Sequence, residues 1–148
     1  MVRGRRELLR ATIPNDLDGK ERLDKFLADC ELMGPVHFAC MTEASMLEAV
    51  GSFDNLRYDD LPSGRYATVS EGKDFKCHLN TDKIKSIQMV IQRSANDDLD
   101  VYITRFRDDK GETVLSAMLH DEDGAYEPGA TDYWKKMRES FGAEQTIA

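Results

Sequence analysis

From Tyr66 to His120 the apolar residues recur with a period of two, and this feature restricts the chain to few architectures. The alternation predicts five strands: Tyr66–Ser70, Asp74–Leu79, Ile84–Gln92, Asp100–Arg107 and Glu112–His120. Glu71-Gly72-Lys73 joins the first two, and Asp108-Asp109-Lys110-Gly111 joins the last two. Parallel neighbours need a crossover of about a dozen residues or more, so turns this short dictate antiparallel pairing.

The flanking segments follow a helical period. From Asp16 onward, Leu17, Leu23, Phe26, Leu27 and Cys30 share one helical face, and Met33-Gly34-Pro35 ends the helix. Val36–Met41 reads as a buried strand. Thr42–Glu48 reads as a short helix with Thr42 as its cap, ending at Gly51. Asp59–Gly64 is a turn-rich loop, and Asp121–Ala130 is another. Thr131 caps a closing helix through Phe141 whose apolar stripe is Tyr133, Trp134, Met137 and Phe141. The predicted fold is α+β, an antiparallel β-sheet packed with helices on one side. One domain spans residues 16–142, after a flexible basic arm (1–15) and before a short tail (143–148).

Charge removes one class of partner. The chain carries 20 basic and 28 acidic residues, net −8, so no broad basic face exists to bind nucleic acid. Arg3, Arg5, Arg6 and Arg10 crowd the arm, whose plain reading is a solvated end. No apolar run reaches the roughly 18 residues of a membrane span, and Leu8-Leu9 falls short of an export signal. Cys30, Cys40 and Cys77 are odd in number and widely spaced, which fits neither a disulfide framework nor a zinc motif. The expectation is a soluble, cytoplasmic protein.

Strand alternation also assigns faces. Phe75, Cys77 and Leu79 share one face of their strand, which leaves Lys76 and His78 on the other. Val36, Phe38 and Cys40 oppose His37, Ala39 and Met41 in the same way. The plain reading of His78 is an ordinary surface histidine, that of His37 a partly buried one, and that of His120 a solvated strand end. The acidic loop from Asp121 fails as a calcium loop, because positions six and twelve are Tyr126 and Asp132 instead of Gly and Glu. Nucleophile elbows, phosphate loops and H-E-x-x-H are absent from the sequence. The residues by themselves define an α+β domain with a histidine-bearing sheet face and leave its ligand open.

Several stretches resemble the haem-utilisation proteins of the HemS/ChuX type. Phe75-Lys76-Cys77-His78-Leu79-Asn80-Thr81-Asp82-Lys83-Ile84 is similar to that family's "F-x-L-H-L-x-x-x-x-I" strand. Val101–Glu112 is similar to its "S-L-x-x-F-D-x-x-G" hairpin, and Ala130–Met137 to its closing helix. Gly34-Pro35-Val36 with Met41–Gly51 is similar to its "G-x-V-x-x-L-T-R-N-x-x-x-V-x-x-x-G" segment. The resemblance implies a single-half member of the family, pairing as a homodimer to rebuild the double-sheet body of the long members. It implies haem as cofactor and intracellular haem trafficking or utilisation as function. It also makes His78 the axial ligand candidate, with Met41 or His37 as a second. Where the family tends to carry Lys or Arg after its hairpin, this chain has His120-Asp121-Glu122-Asp123, so the propionates would fall to Lys76, Arg65 or Arg105. Two alternatives stay open: an interaction protein that kept the fold without haem, and a haem-degrading enzyme with an external reductant.

Overall fold

The structure is a computed structural model that describes residue 17, residues 19–94 and residues 99–147. The arm expected over 1–15 lies outside the described residues. The first helix, α1 (Gly19–Cys30), buries Leu23, Phe26, Leu27 and Cys30. A single 3-10 turn follows, and Gly34 at φ 80° redirects the chain into β1 (Val36–Met41).

Here the structure departs from the sequence expectation. Residues 42–48 do not form a helix, and β2 (Met46–Gly51) pairs antiparallel with β1 from Met41↔Met46 to Val36↔Gly51. Thr42 caps the connecting turn instead: its Oγ1 accepts from Ala44 N at 3.2 Å and Ser45 N at 3.1 Å. The same hydroxyl chemistry serves a helix start or a tight turn, and pairing with β1 decides between them.

Next comes β3 (Arg57–Leu61), partly in the stretch expected to be a loop, followed by β4 (Gly64–Glu71) and β5 (Phe75–Asn80). They make a three-stranded antiparallel sheet in the order β3-β4-β5. β6 (Ser86–Arg93), β7 (Asp100–Arg107) and β8 (Thr113–Leu119) run close to their predicted bounds. After α2 (Ala130–Phe141) comes β9 (Glu144–Thr146), so the expected tail contributes a strand. The larger sheet is ordered β2-β1-β8-β7-β6-β9, again wholly antiparallel.

Both helices and the small sheet lie against one face of the large sheet. Phe26 of α1 meets Phe106 of β7 edge-on at 6.0 Å and Phe141 of α2 at 5.0 Å. Trp134 of α2, fully buried, meets Tyr102 at 5.2 Å and donates to Thr104 Oγ1 at 3.2 Å. On the small sheet, Phe75 stacks on Phe38 of β1 with centroids 4.9 Å apart. These contacts merge into one core that also takes in Phe53, Val69 and Leu79.

The Phe38–Phe75 stack depends on a missing side chain. A Cβ at Gly51, opposite Val36 on the edge strand, would lie 2.7 Å from the Phe75 ring. Gly51→Ala is expected to displace that ring and cost about 1–3 kcal/mol, measured as a lower urea midpoint at unchanged slope.

Candidate functional site

Register on the small sheet builds the surroundings of His78. β4 and β5 pair with Ala67↔Leu79, Thr68↔His78, Val69↔Cys77 and Ser70↔Lys76. Ala67, Val69, Phe75 and Leu79 are buried against the core, so the alternate set (Thr68, Ser70, Lys76 and His78) occupies the outer face. His78 and Lys76 are exposed there, as their strand position predicts. The His78 imidazole is not a free rotor. Its Nδ1 lies 2.7 Å from Oγ1 of Thr68, the cross-strand partner, and that threonine is fully buried. The short bond fixes the ring and leaves Nε2 without a partner among the described residues. Tyr66 and Leu61 supply the apolar part of this face. Tyr66 is half-buried, with its hydroxyl 3.0 Å from Ser63 Oγ, and Leu61 is exposed.

The other candidates lie elsewhere. His37, Ala39 and Met41 occupy the outer face of β1 in the large sheet, level with Val50, Glu48 and Met46 of β2. His37 Nε2 lies 2.9 Å from Glu48 Oε1, and Met41 is 69% exposed at the end of the hairpin. Because the inner faces of the two sheets meet at Phe38–Phe75, their outer faces point away from each other. His78 therefore does not converge with His37 or Met41 within one chain. His120, just beyond β8, lies 3.4 Å from Glu122. It shares a cleft of about 190 Å³ with His37, Val101, Met118 and Tyr126.

The three basic candidates also separate. Lys76 shares the face of His78. Arg105 lies on the outer face of the large sheet, paired across strands with Gln88 and Ser116, and its Nη1 donates to Gln88 Oε1 at 3.0 Å. Arg107 donates to the same oxygen at 2.6 Å. Arg65 turns inward. Its Nη1 reaches both carboxylate oxygens of Asp24 on α1, at 2.8 and 3.0 Å, and its guanidinium lies 3.8 Å over the Tyr58 ring. Hydrogen bonding to Asp24 raises the Arg65 pKa, while burial and the same carboxylate raise that of the Tyr58 phenol. Arg65 is thus committed to joining the small sheet to α1. That position places it away from an outer-face ligand, because Arg65 has the same strand parity as the inward residues Ala67 and Val69.

Thr68 is the neighbour of His78 that the sequence reading missed. Its signal was present in the alternation of β4, but only the β4–β5 register pairs it with His78. No group of three or more His, Cys, Asp or Glu is arranged to hold a metal ion among the described residues. Likewise, no described helix is long and apolar enough to cross a membrane.

The site is thus an open, histidine-bearing face on a two-sheet antiparallel α+β body. The family model for haem utilisation ChuX/HutX matches residues 17–137, and the chain belongs to that family. No curated protein matches the sequence. Among solved structures, ChuX is similar with a TM-score of 0.67 at 12% identity, over 89% of this chain and 96% of that one. Protein AGR_C_4470 from Agrobacterium tumefaciens gives 0.67 at 15% identity, over 82% and 67% respectively. Holo-PhuS, a haem-binding protein from Pseudomonas aeruginosa, gives 0.61 at 23% identity, over 85% of this chain and 34% of PhuS.

The inward course of Arg65 has a measurable consequence. Arg65→Met is expected to lower unfolding free energy by about 1–3 kcal/mol, since it strands Asp24 beside a partly buried tyrosine. Urea unfolding followed by the fluorescence of Trp134 reads this loss.

Proposed function

We propose that this chain binds haem and carries it for intracellular utilisation, with His78 as the axial ligand. The observation that carries the reading is the Thr68–His78 contact. When Nδ1–H donates to Thr68 Oγ1, the neutral ring holds its lone pair on Nε2, directed away from the sheet. Metal-binding histidines commonly use their second nitrogen in this way, which fixes tautomer and ring orientation before the ligand arrives. Membership of a haem-utilisation family supports haem as the group to be bound.

The residues on this face fit the group in two respects. An imidazole of fixed orientation suits the iron, and Lys76, exposed two residues away on the same face, suits a propionate. Bound haem would supply iron for ligation; the chain supplies orientation, charge and cover. Tyr66 and Leu61 alone offer little cover for a porphyrin. We therefore include a homodimer in the reading. Met41, Met46, Leu47 and Val50 are 49–75% exposed on the β1–β2 hairpin, an apolar surface suited to a second copy. A second axial ligand, His37 or Met41, would then come from that copy, because these residues face away from His78 in their own chain. Arg105, with Arg107 and Gln88, remains a further propionate candidate on that same outer face.

Haem titration followed in the Soret region tests the assignment. Saturation at about one haem per chain, lost in His78→Ala, is expected. Saturation unaltered in the variant would exclude His78 and move the ligand to His37, Met41 or a tyrosine. Weak uptake that never saturates would remove haem binding and leave the fold as described.

Thr68→Val separates orientation from ligation. The variant keeps shape and removes the hydroxyl, so haem affinity is expected to fall about 10–100-fold while the ligand-field spectrum keeps its histidine character. Equal affinity in the two proteins would show that the ring needs no such support.

A further inference from the structure

Two cysteines that the haem reading leaves unused occupy corresponding places on the two facing sheets. Cys40 is two residues beyond Phe38 on the inner side of β1, and Cys77 is two residues beyond Phe75 on the inner side of β5. The two phenylalanines are stacked at 4.9 Å with their planes 25° apart, so β1 and β5 approach each other at that point. Each cysteine is then about 7 Å further along its own strand.

Both strands advance the same way. Past Phe75, β5 runs through Leu79 to the 3-10 turn Thr81–Lys83, which packs against α1. Past Phe38, β1 reaches the level of Leu115 and Phe106, and Phe106 is covered by Phe26 of α1. The two cysteines thus lie on the same side of the Phe38–Phe75 stack, at the edge of the space between the sheets. Cys77 is half-buried against the core and Cys40 is open to solvent. Electrostatics agrees with the placement: burial first, and the charge of Cys40 second, push the Cys77 thiol up to about 11. Cys30 is fully buried within α1 and takes no part.

We propose that Cys40 and Cys77 form a redox-closable pair, joined as an intramolecular disulfide by a peroxide-class oxidant. The exposed Cys40 reacts first. Its thiolate attacks the peroxide O–O bond, giving the sulfenic acid and releasing hydroxide. Cys77 sulfur then attacks the sulfenic sulfur, forming the S–S bond, and the departing hydroxyl takes up the Cys77 proton as water. The hydroxide released first recovers the proton that Cys40 gave up on ionising, so two thiols lose two electrons in all and one peroxide is reduced to two molecules of water. Cys77, half-buried against the core, is less accessible to the oxidant, which directs the first step to Cys40. Closure would fasten the exposed β1–β2 hairpin to β5, the strand that carries His78. The pair itself does not rest on the haem assignment.

The experiment treats the haem-free chain with one equivalent of hydrogen peroxide, denatures it in the presence of an alkylating agent, and maps peptides without reduction. Expected is the loss of two of the three titratable thiols, a cross-linked peptide joining residues 40 and 77 within one chain, and an intact Cys30 thiol. Cys40→Ser and Cys77→Ser should each abolish the cross-link. In Cys77→Ser, Cys40 should accumulate as the sulfenic acid, trappable by dimedone. The proposal is overturned if Cys77 remains alkylatable while Cys40 is oxidised, or if the only disulfide joins Cys40 residues of two chains. Haem uptake measured in parallel keeps the two readings distinct: a cross-link without haem binding, or the reverse, decides each separately.

Discussion

The contact between Phe38 and Phe75 holds the architecture together. Two antiparallel sheets, each with a polar and an apolar side, must hide their apolar sides, and here they hide them against each other and against two helices. Aromatic pairs of this kind contribute about 0.5–1.5 kcal/mol each beyond the area they bury. Phe38 touches Phe53 as well as Phe75, Phe53 touches Phe106, and Phe106 touches Phe26, so the rings form a continuous seam from the small sheet to α1. The seam decides which faces are left for solvent, and hence where His78, His37 and Met41 lie.

The same constraint explains why the basic candidates behave so differently. Parity along a strand determines whether a long cation meets water or a neighbouring element. Lys76 alternates with core residues and stays outside. Arg65 alternates with Thr68's face and turns inward, where Asp24 of α1 neutralises it and Tyr58 lies beneath it. Arg105 and Arg107 share one amide oxygen, an arrangement that holds two cations on the outer face of the large sheet in a chain of net negative charge.

Much of this was legible in the sequence, for reasons that also mark where legibility stopped. Strands β4 to β8 carry strong alternation and short polar turns, and the structure keeps them within about two residues of their predicted bounds. Residues 42–48 are rich in helix-forming Ala, Met, Leu and Glu, yet the pairing of Met46–Gly51 with β1 overrides that local preference. β9 is three residues long, too short to show any period, and exists through bonds to β6. That the strands would divide into two sheets depends on contacts between distant residues, which no local pattern records. The outward position of His78 followed from alternation alone. Its partner did not, because register between β4 and β5 is a property of the folded pair.

One contact set has a consequence for how the chain reaches this structure. Arg22, in the first helix, donates to Gln145 Oε1 at 2.8 Å and to the carbonyl of Phe141, positions more than a hundred residues away. Phe26 rests on Phe141 in the same region. Helix α1 therefore finds part of its tertiary support only when β9 and the end of α2 are in place. Closing so large a loop costs entropy before any of these contacts is gained, so this part of the support of α1 is expected to form late. Until that closure, α1 rests on Phe106 and on the small sheet, and the part of its apolar side that Phe141 covers stays open to self-association.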